Sequence, residues 1–208
     1  VRLALVELWE GNTDVAAELA RSALDTAADA DHLTTRWYAI TYAAIVAAES
    51  GDLDHLAGVL DEADRLWERL PMRYLMIVGE ALRGWLGAGD GLTDAIERIE
   101  RSVERSRVEG ETLHLTYCLL LLARAHGLAG DPSTGREAVR DALEWSDATG
   151  QHYLVAELWR TDAELAHRGG DPEAAELSLR RAVEVAESQG ASGLEARARH
   201  TELFSEGG

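Results

Sequence analysis

Two Glu-x-x-His pairs, Glu111 with His114 and Glu164 with His167, are the residues of this chain best suited to chemistry. Side chains three apart share a helix face, and such pairs supply a carboxylate and an imidazole together in di-metal bundles. A shared metal needs both pairs at one level of the fold. In the 40-residue register set out below, Glu111 matches position 151, thirteen residues before Glu164. At 1.5 Å per residue the pairs sit roughly 20 Å apart along parallel helices, which argues against a metal centre. Other catalytic signatures fail one by one: there is no H-E-x-x-H, no G-x-S-x-G, no cysteine pair and no glycine-rich loop ending in Gly-Lys. The stretch GWLGAGDG, from Gly84 to Gly91, has glycines enough to suggest a phosphate loop. No strand pattern precedes it and no Lys-Ser/Thr follows, so a kinked or flexible hairpin is the better reading. The chain is therefore expected not to be an enzyme and to need no cofactor.

His32, His114 and His152 fall at equivalent places, each beside an aromatic residue such as Trp37, Tyr117 or Tyr153. Recurrence of that kind fits packing between repeats, with a pH sensor as the alternative. The six tryptophans occupy mostly core-like helical positions, and the lone Cys118, in LTYCLLLLA, reads as a small buried hydrophobe in a reducing compartment.

Composition says what must position these residues. Ala, Leu, Glu and Arg dominate the 208 residues, with three prolines and one phenylalanine, and apolar residues recur at three- and four-residue spacing. That favours helix throughout. The net charge of -18 repels a phosphate backbone, so direct nucleic-acid binding by this segment is not expected. Every basic side chain is Arg, a pattern of GC-rich coding as much as of function. The longest uncharged apolar stretches, beginning at Trp37 and Thr112, run to about 12 residues, short of the ~20 that span a bilayer. A cytoplasmic setting follows, with no membrane partner. The helical pattern is already running at Val1 without an initiator Met, which suggests a segment of a larger protein.

A small turn recurs as Gly11-Asn12, Gly51-Asp52, Gly89-Asp90, Gly130-Asp131 and Gly170-Asp171, with glycine spacings of 40, 38, 41 and 40. A helix-ending Gly followed by a helix-capping Asp or Asn punctuates a helical hairpin, and Pro132 and Pro172 stand where the first helical residue lacks a hydrogen-bonded N–H anyway. Seven residues before the glycine stand Ala4, Ala44, Ala123 and Ala163. After it come sets such as Leu56, Leu60 and Ala63, or Ala175, Leu179, Ala182 and Val183, which let two helices approach and fill the groove between neighbours. The third turn departs: its second helix registers best on Ala95, Ile99, Ser102 and Val103, one residue late. Helices are expected over about 1–10, 13–29, 32–50, 53–69, 72–87, 92–109, 111–129, 133–149, 151–168 and 172–189. A last helix over about 191–204 caps the stack, with Arg197, Arg199, His200 and Glu202 on its solvated face.

These residues resemble a tetratricopeptide-type repeat. The passage from Trp159 to Val183 is similar to that family's pattern through Trp159, Ala163, Gly170, Asp171, Ala175, Leu179, Ala182 and Val183, although a 40-residue period exceeds the usual 34. The resemblance implies an all-α, right-handed superhelix, an α-solenoid of about five hairpins (1–30, 31–70, 71–110, 111–150 and 151–190) plus the capping helix, as one array over 1–208. In texture the chain also resembles the C-terminal arrays of LuxR-type ATP-binding regulators and related signal-transduction ATPases of bacteria. That implies a sensor or docking arm; a free-standing adaptor is the alternative. The family's inward positions on the first helix of each hairpin carry over to Tyr38, Thr41 and Ile45, to Arg83, to Tyr117, Leu120 and Arg124, and to Glu157, Arg160 and Glu164. Arg83, Arg124 and Arg160 would then form a cationic strip for a carboxylate, a phosphate or an acidic peptide, unless they pair with neighbouring glutamates. The implied partner is a protein or peptide, or a small-molecule effector, with self-association into a homodimer as a second mode of assembly.

Overall fold

The computed structural model describes residues 2–29, 32–67, 76–110 and 112–201. Among them are eleven α-helices and no strand: α1 (Arg2–Trp9), α2 (Thr13–Ala28), α3 (Leu33–Ser50), α4 (Leu53–Trp67), α5 (Ile77–Leu86), α6 (Leu92–Glu109), α7 (Leu115–Leu128), α8 (Pro132–Thr149), α9 (Val155–Arg168), α10 (Pro172–Gln189) and α11 (Ser192–Arg199). The fold is all-α and of α-solenoid type. It divides into two compact units, Val1–Thr112 with three hairpins and Leu113–Gly208 with two hairpins and α11. In each unit a helix packs on its hairpin partner, on the hairpin that follows, and first helix on first helix, as α1 on α3, α3 on α5, α7 on α9 and α9 on α11.

The turn chemistry explains the hairpins. Gly51, Gly130 and Gly170 adopt φ of 73°, 80° and 78°, the left-handed region where a Cβ is unfavourable. The aspartate that follows caps the next helix through a backbone N–H donated to its carboxylate: His55 to Asp52 at 3.1 Å, Thr134 to Asp131 at 3.1 Å, and Ala174 to Asp171 at 3.0 Å. In the first hairpin Asn12 instead donates to Glu7 at 2.7 Å. The third hairpin is different, as its late register implied. A short 3-10 turn, Gly87–Gly89, extends α5, and the N-cap residue of α6 is Gly91, so Asp90 is not the cap.

Burial separates the two kinds of helix. Ala4, Ala44, Ala123 and Ala163 are all fully buried, and α3 buries every residue from Ala39 to Ala47 because α1, α2, α4 and α5 enclose it. The second helices bury one stripe only; α10, for example, buries Ala175, Ser178, Ala182 and Ala186 at three- and four-residue steps. Two boundaries are corrected. Helix α7 begins at Leu115, four residues later than expected, with His114 at its N-cap, and α9 begins at Val155 after a 3-10 turn over His152–Leu154. The last helix ends at Arg199, and residues 202–204 of the expected helix lie outside the described residues. Among the described residues no helix is long and apolar enough to cross a membrane.

Candidate functional site

Residues 157, 160 and 164 of α9 are three and four apart, which places them on one face of the helix. There they form an ion network closed by α7. Arg160 donates through Nε to both oxygens of Glu157, at 3.1 and 3.0 Å, through Nη2 to Oε1 at 2.7 Å, and through Nη1 to Glu164. Arg124, reaching across from α7, donates to the same Oε1 at 2.6 Å. The Glu157 side chain is 1% exposed, while those of Arg124 and Arg160 keep 16%. Burial alone would raise the Glu157 pKa. The charges of Arg124 and Arg160, with the hydrogen bonds of Arg160 and a smaller contribution from Arg197 on α11, outweigh it and lower the pKa to about 2. Arg160 is in turn disfavoured by burial and held charged, with a raised pKa, by Glu157 and Glu164. The result is a pair of guanidiniums held in a fixed orientation and still partly open to solvent.

Arg83, Arg124 and Arg160, the residues of the expected cationic strip, each sit in a local ion network inside their own unit. Arg83, on α5, bonds Asp61 of α4 at 2.8 Å and also Asp64. Arg124 and Arg160 share Glu157. Each of the three is neutralised by acids one helix or one turn away, the pairing that the sequence left open. Of the apolar candidates, Tyr38 is half-exposed, edge-on to Trp37 at 4.9 Å and stacked on Tyr42 at 6.4 Å. Thr41, Ile45, Tyr117 and Leu120 are buried, because the first helices that carry them are enclosed by their neighbours.

The remaining candidates resolve as follows. His32 caps α3 by accepting the Thr35 N–H at 3.3 Å, His114 is buried at the start of α7, and His152 is exposed, 4.0 Å from Asp147. Three equivalent positions thus give three environments. Cys118 is buried. Glu111 lies outside the described residues, and among those described no group of three His, Cys, Asp or Glu side chains is placed to hold a metal ion. The Gly84–Gly91 segment borders a cleft of about 560 Å³ lined by Arg83, Arg98 and Arg101 together with Asp90, Asp94 and Glu97.

A second polar cluster was not anticipated from sequence. Arg136 of α8 bonds Asp162 of α9 at 2.9 and 3.3 Å, and Ser178 of α10 donates to the same carboxylate at 2.6 Å. Beside it, the guanidinium of Arg181 lies 4.6 Å from the centroid of the Trp159 ring. The signal that could have found this cluster is the repeat itself, since Arg136 stands where the next hairpin has Glu176.

No family model matches the chain. An uncharacterised protein of Rhizobium meliloti (strain 1021) is 32% identical over 199 residues, 94% of this chain but 19% of that protein, so the chain spans about a fifth of the relative's length. Among solved structures, Bacillus thuringiensis PlcR, determined in complex with the peptide PapR7 and DNA, is similar with a TM-score of 0.72 at 12% identity, over 96% of this chain and 72% of that one. A Podospora anserina putative kinesin light chain with nearly identical TPR-like repeats gives a TM-score of 0.51 at 16% identity, over 90% of this chain and 94% of that one. The hairpins of this chain accordingly have the fold of TPR-like helical repeats.

Proposed function

We propose that the chain is a protein- or peptide-binding repeat module, acting as the sensor or docking arm of a larger bacterial regulator. The observation that carries this reading is the α7–α9 network, in which a buried carboxylate holds Arg124 and Arg160 oriented while both keep solvent access. Pre-oriented guanidiniums bind a partner's carboxylate with little further loss of freedom. Two comparisons support the reading. The PlcR structure of similar fold holds a peptide, and the Rhizobium relative carries its matching region within a far longer chain. The five hairpins would work as one array, in the cytoplasm, without contacting nucleic acid themselves.

Native mass spectrometry of the chain purified without added ligand tests the module reading, with a co-purified peptide or protein as the expected result. Arg124→Gln should then weaken that complex, and an unchanged affinity would remove the network from the binding face. Gene context tests the setting: an ATP-binding domain upstream and a helix-turn-helix downstream in the same reading frame support the regulator, and an initiator Met at or just before Val1 removes it in favour of a free-standing adaptor.

A further inference from the structure

Two grooves in the C-terminal unit are copies of each other displaced by one repeat. Adding 40 to Arg136, Val139, Arg140, Leu143 and Trp159, which line a groove of about 390 Å³ between α8 and α9, gives Glu176, Leu179, Arg180, Val183 and Arg199. Those five line the groove of about 490 Å³ between α10 and α11. The apolar floor is kept, as Val139 with Leu143 in one groove and Leu179 with Val183 in the other. The rims differ. Around the α10–α11 groove the cations are satisfied: Arg180 bonds Glu176 at 2.8 Å, and Arg199 bonds Glu195 at 2.7 Å and also Glu187. Around the α8–α9 groove, Arg136 and Asp162 satisfy each other, and Ser178 completes the carboxylate. Arg140 is exposed and, among the described residues, has no ion pair, and Arg181 engages the Trp159 ring instead of a carboxylate.

We infer that the α8–α9 groove docks a peptide segment of a protein partner that carries a single carboxylate beside a bulky apolar side chain. The carboxylate pairs with Arg140 and Arg181 at the rim, and the apolar side chain lies on Val139, Leu143 and the Trp159 ring. Charge complementarity selects this occupant. Arg140 lines this groove without a carboxylate partner, and Arg181 adjoins it over the Trp159 ring, on a chain of net charge -18, so one negative group is drawn to this rim. A polyanion is not, because Glu137 shares the rim and the overall field repels it. A wholly apolar segment would cover the guanidiniums without giving them a partner, which is costly. The inference rests on the peptide-binding reading but uses another face. At 100° per residue, Trp159 and Asp162 lie on the side of α9 opposite Glu157, Arg160 and Glu164.

The test is a selection of phage-displayed random heptapeptides on the immobilised chain, followed by fluorescence anisotropy of the recovered sequences as synthetic peptides. Recovered peptides should be rich in one Asp or Glu next to Leu, Ile or Phe. Their Kd should rise about tenfold or more in Arg140→Glu and in Arg181→Glu, yet hold in Arg180→Glu, the same change in the equivalent groove. Arg140, Arg180 and Arg181 are exposed, and an unchanged far-UV circular dichroism spectrum would confirm that the variants fold. Peptides that bind parent, Arg140→Glu and Arg181→Glu alike, or that are equally sensitive to Arg180→Glu, overturn the groove assignment. If such peptides lose affinity in Arg124→Gln, the module reading survives without the groove, and recovery of no binder overturns both.

Discussion

Replacing Glu157 by Gln removes one negative charge from between two guanidiniums and changes almost nothing in shape. The Glu157 pKa falls from an ordinary 4.5 to about 2 in the folded chain. At 1.36 kcal/mol per unit, that shift corresponds to about 3 kcal/mol of stability at pH 7. A second route gives the same scale, since removing one partner of a buried ion pair costs ~3–5 kcal/mol by stranding the other charge. Here Arg124 and Arg160 would both face an amide able to accept but not to neutralise. The loss should be confined to the C-terminal unit, which hydrogen exchange can resolve. Peptides from α7 and α9 should lose protection worth about 3 kcal/mol, while peptides from α1 to α4 keep theirs. The folded pKa lies below the unfolded one, so the contribution is complete above about pH 5 and drains away as the pH falls through about 2. The parent should therefore lose stability over that window faster than Glu157→Gln, until the two converge. A variant within ~1 kcal/mol of the parent at pH 7, or with equal losses in α1 to α4, would refute the account of the network.

Four further changes follow from the turns and close approaches, each read by urea or thermal unfolding. Gly135→Ala should destabilise by ~1–3 kcal/mol, because its Cβ would stand 2.8 Å from the Ala123 carbonyl oxygen and 3.1 Å from both methyls of Leu165. The same substitution at Gly58, helical and with nothing within 4 Å of the new Cβ, should stabilise by about 0.5–1 kcal/mol, so a shared sign would count against the packing argument. Asp171→Ala removes the carboxylate that accepts the Ala174 N–H and should cost about 1 kcal/mol. Gly91→Asp supplies the cap that α6 lacks, in extended backbone at φ -172° with open space around the Cβ, and should raise the melting temperature by a few degrees.

The hairpins were legible because the turn that makes them is local. A left-handed glycine and a capping aspartate are adjacent in sequence, so Gly51-Asp52, Gly130-Asp131 and Gly170-Asp171 announce themselves. A second series, Gly110, Gly150 and Gly190, also 40 apart and also left-handed, ends the second helices, but the residues that follow it differ, so no repeated pair marks it. The third hairpin kept the dipeptide and lost the geometry, because the 3-10 turn inserts one residue and moves the cap from Asp90 to Gly91. Pairing divides the same way. The spacing of Glu157, Arg160 and Glu164 shows half of the network, whereas Arg124, 33 residues away, joins it only through helix packing.

The arginines of the two grooves show how much a local rule can still decide. Arg140 and Arg180 occupy the same position of the repeat, one on α8 and the other on α10. Four residues before Arg180 stands Glu176, one helical turn away, and it takes the guanidinium. Four residues before Arg140 stands Arg136, which repels it and turns to Asp162 on the neighbouring helix. A single exchange of sign, Glu for Arg, therefore separates a satisfied surface from an open one on the same scaffold. Arg136→Glu should close the α8–α9 groove in the manner of the α10–α11 groove, pairing Arg140 and stranding Asp162. Its expected signature is lost peptide affinity together with a fall in stability, and retention of both would break the link drawn between repeat position and binding.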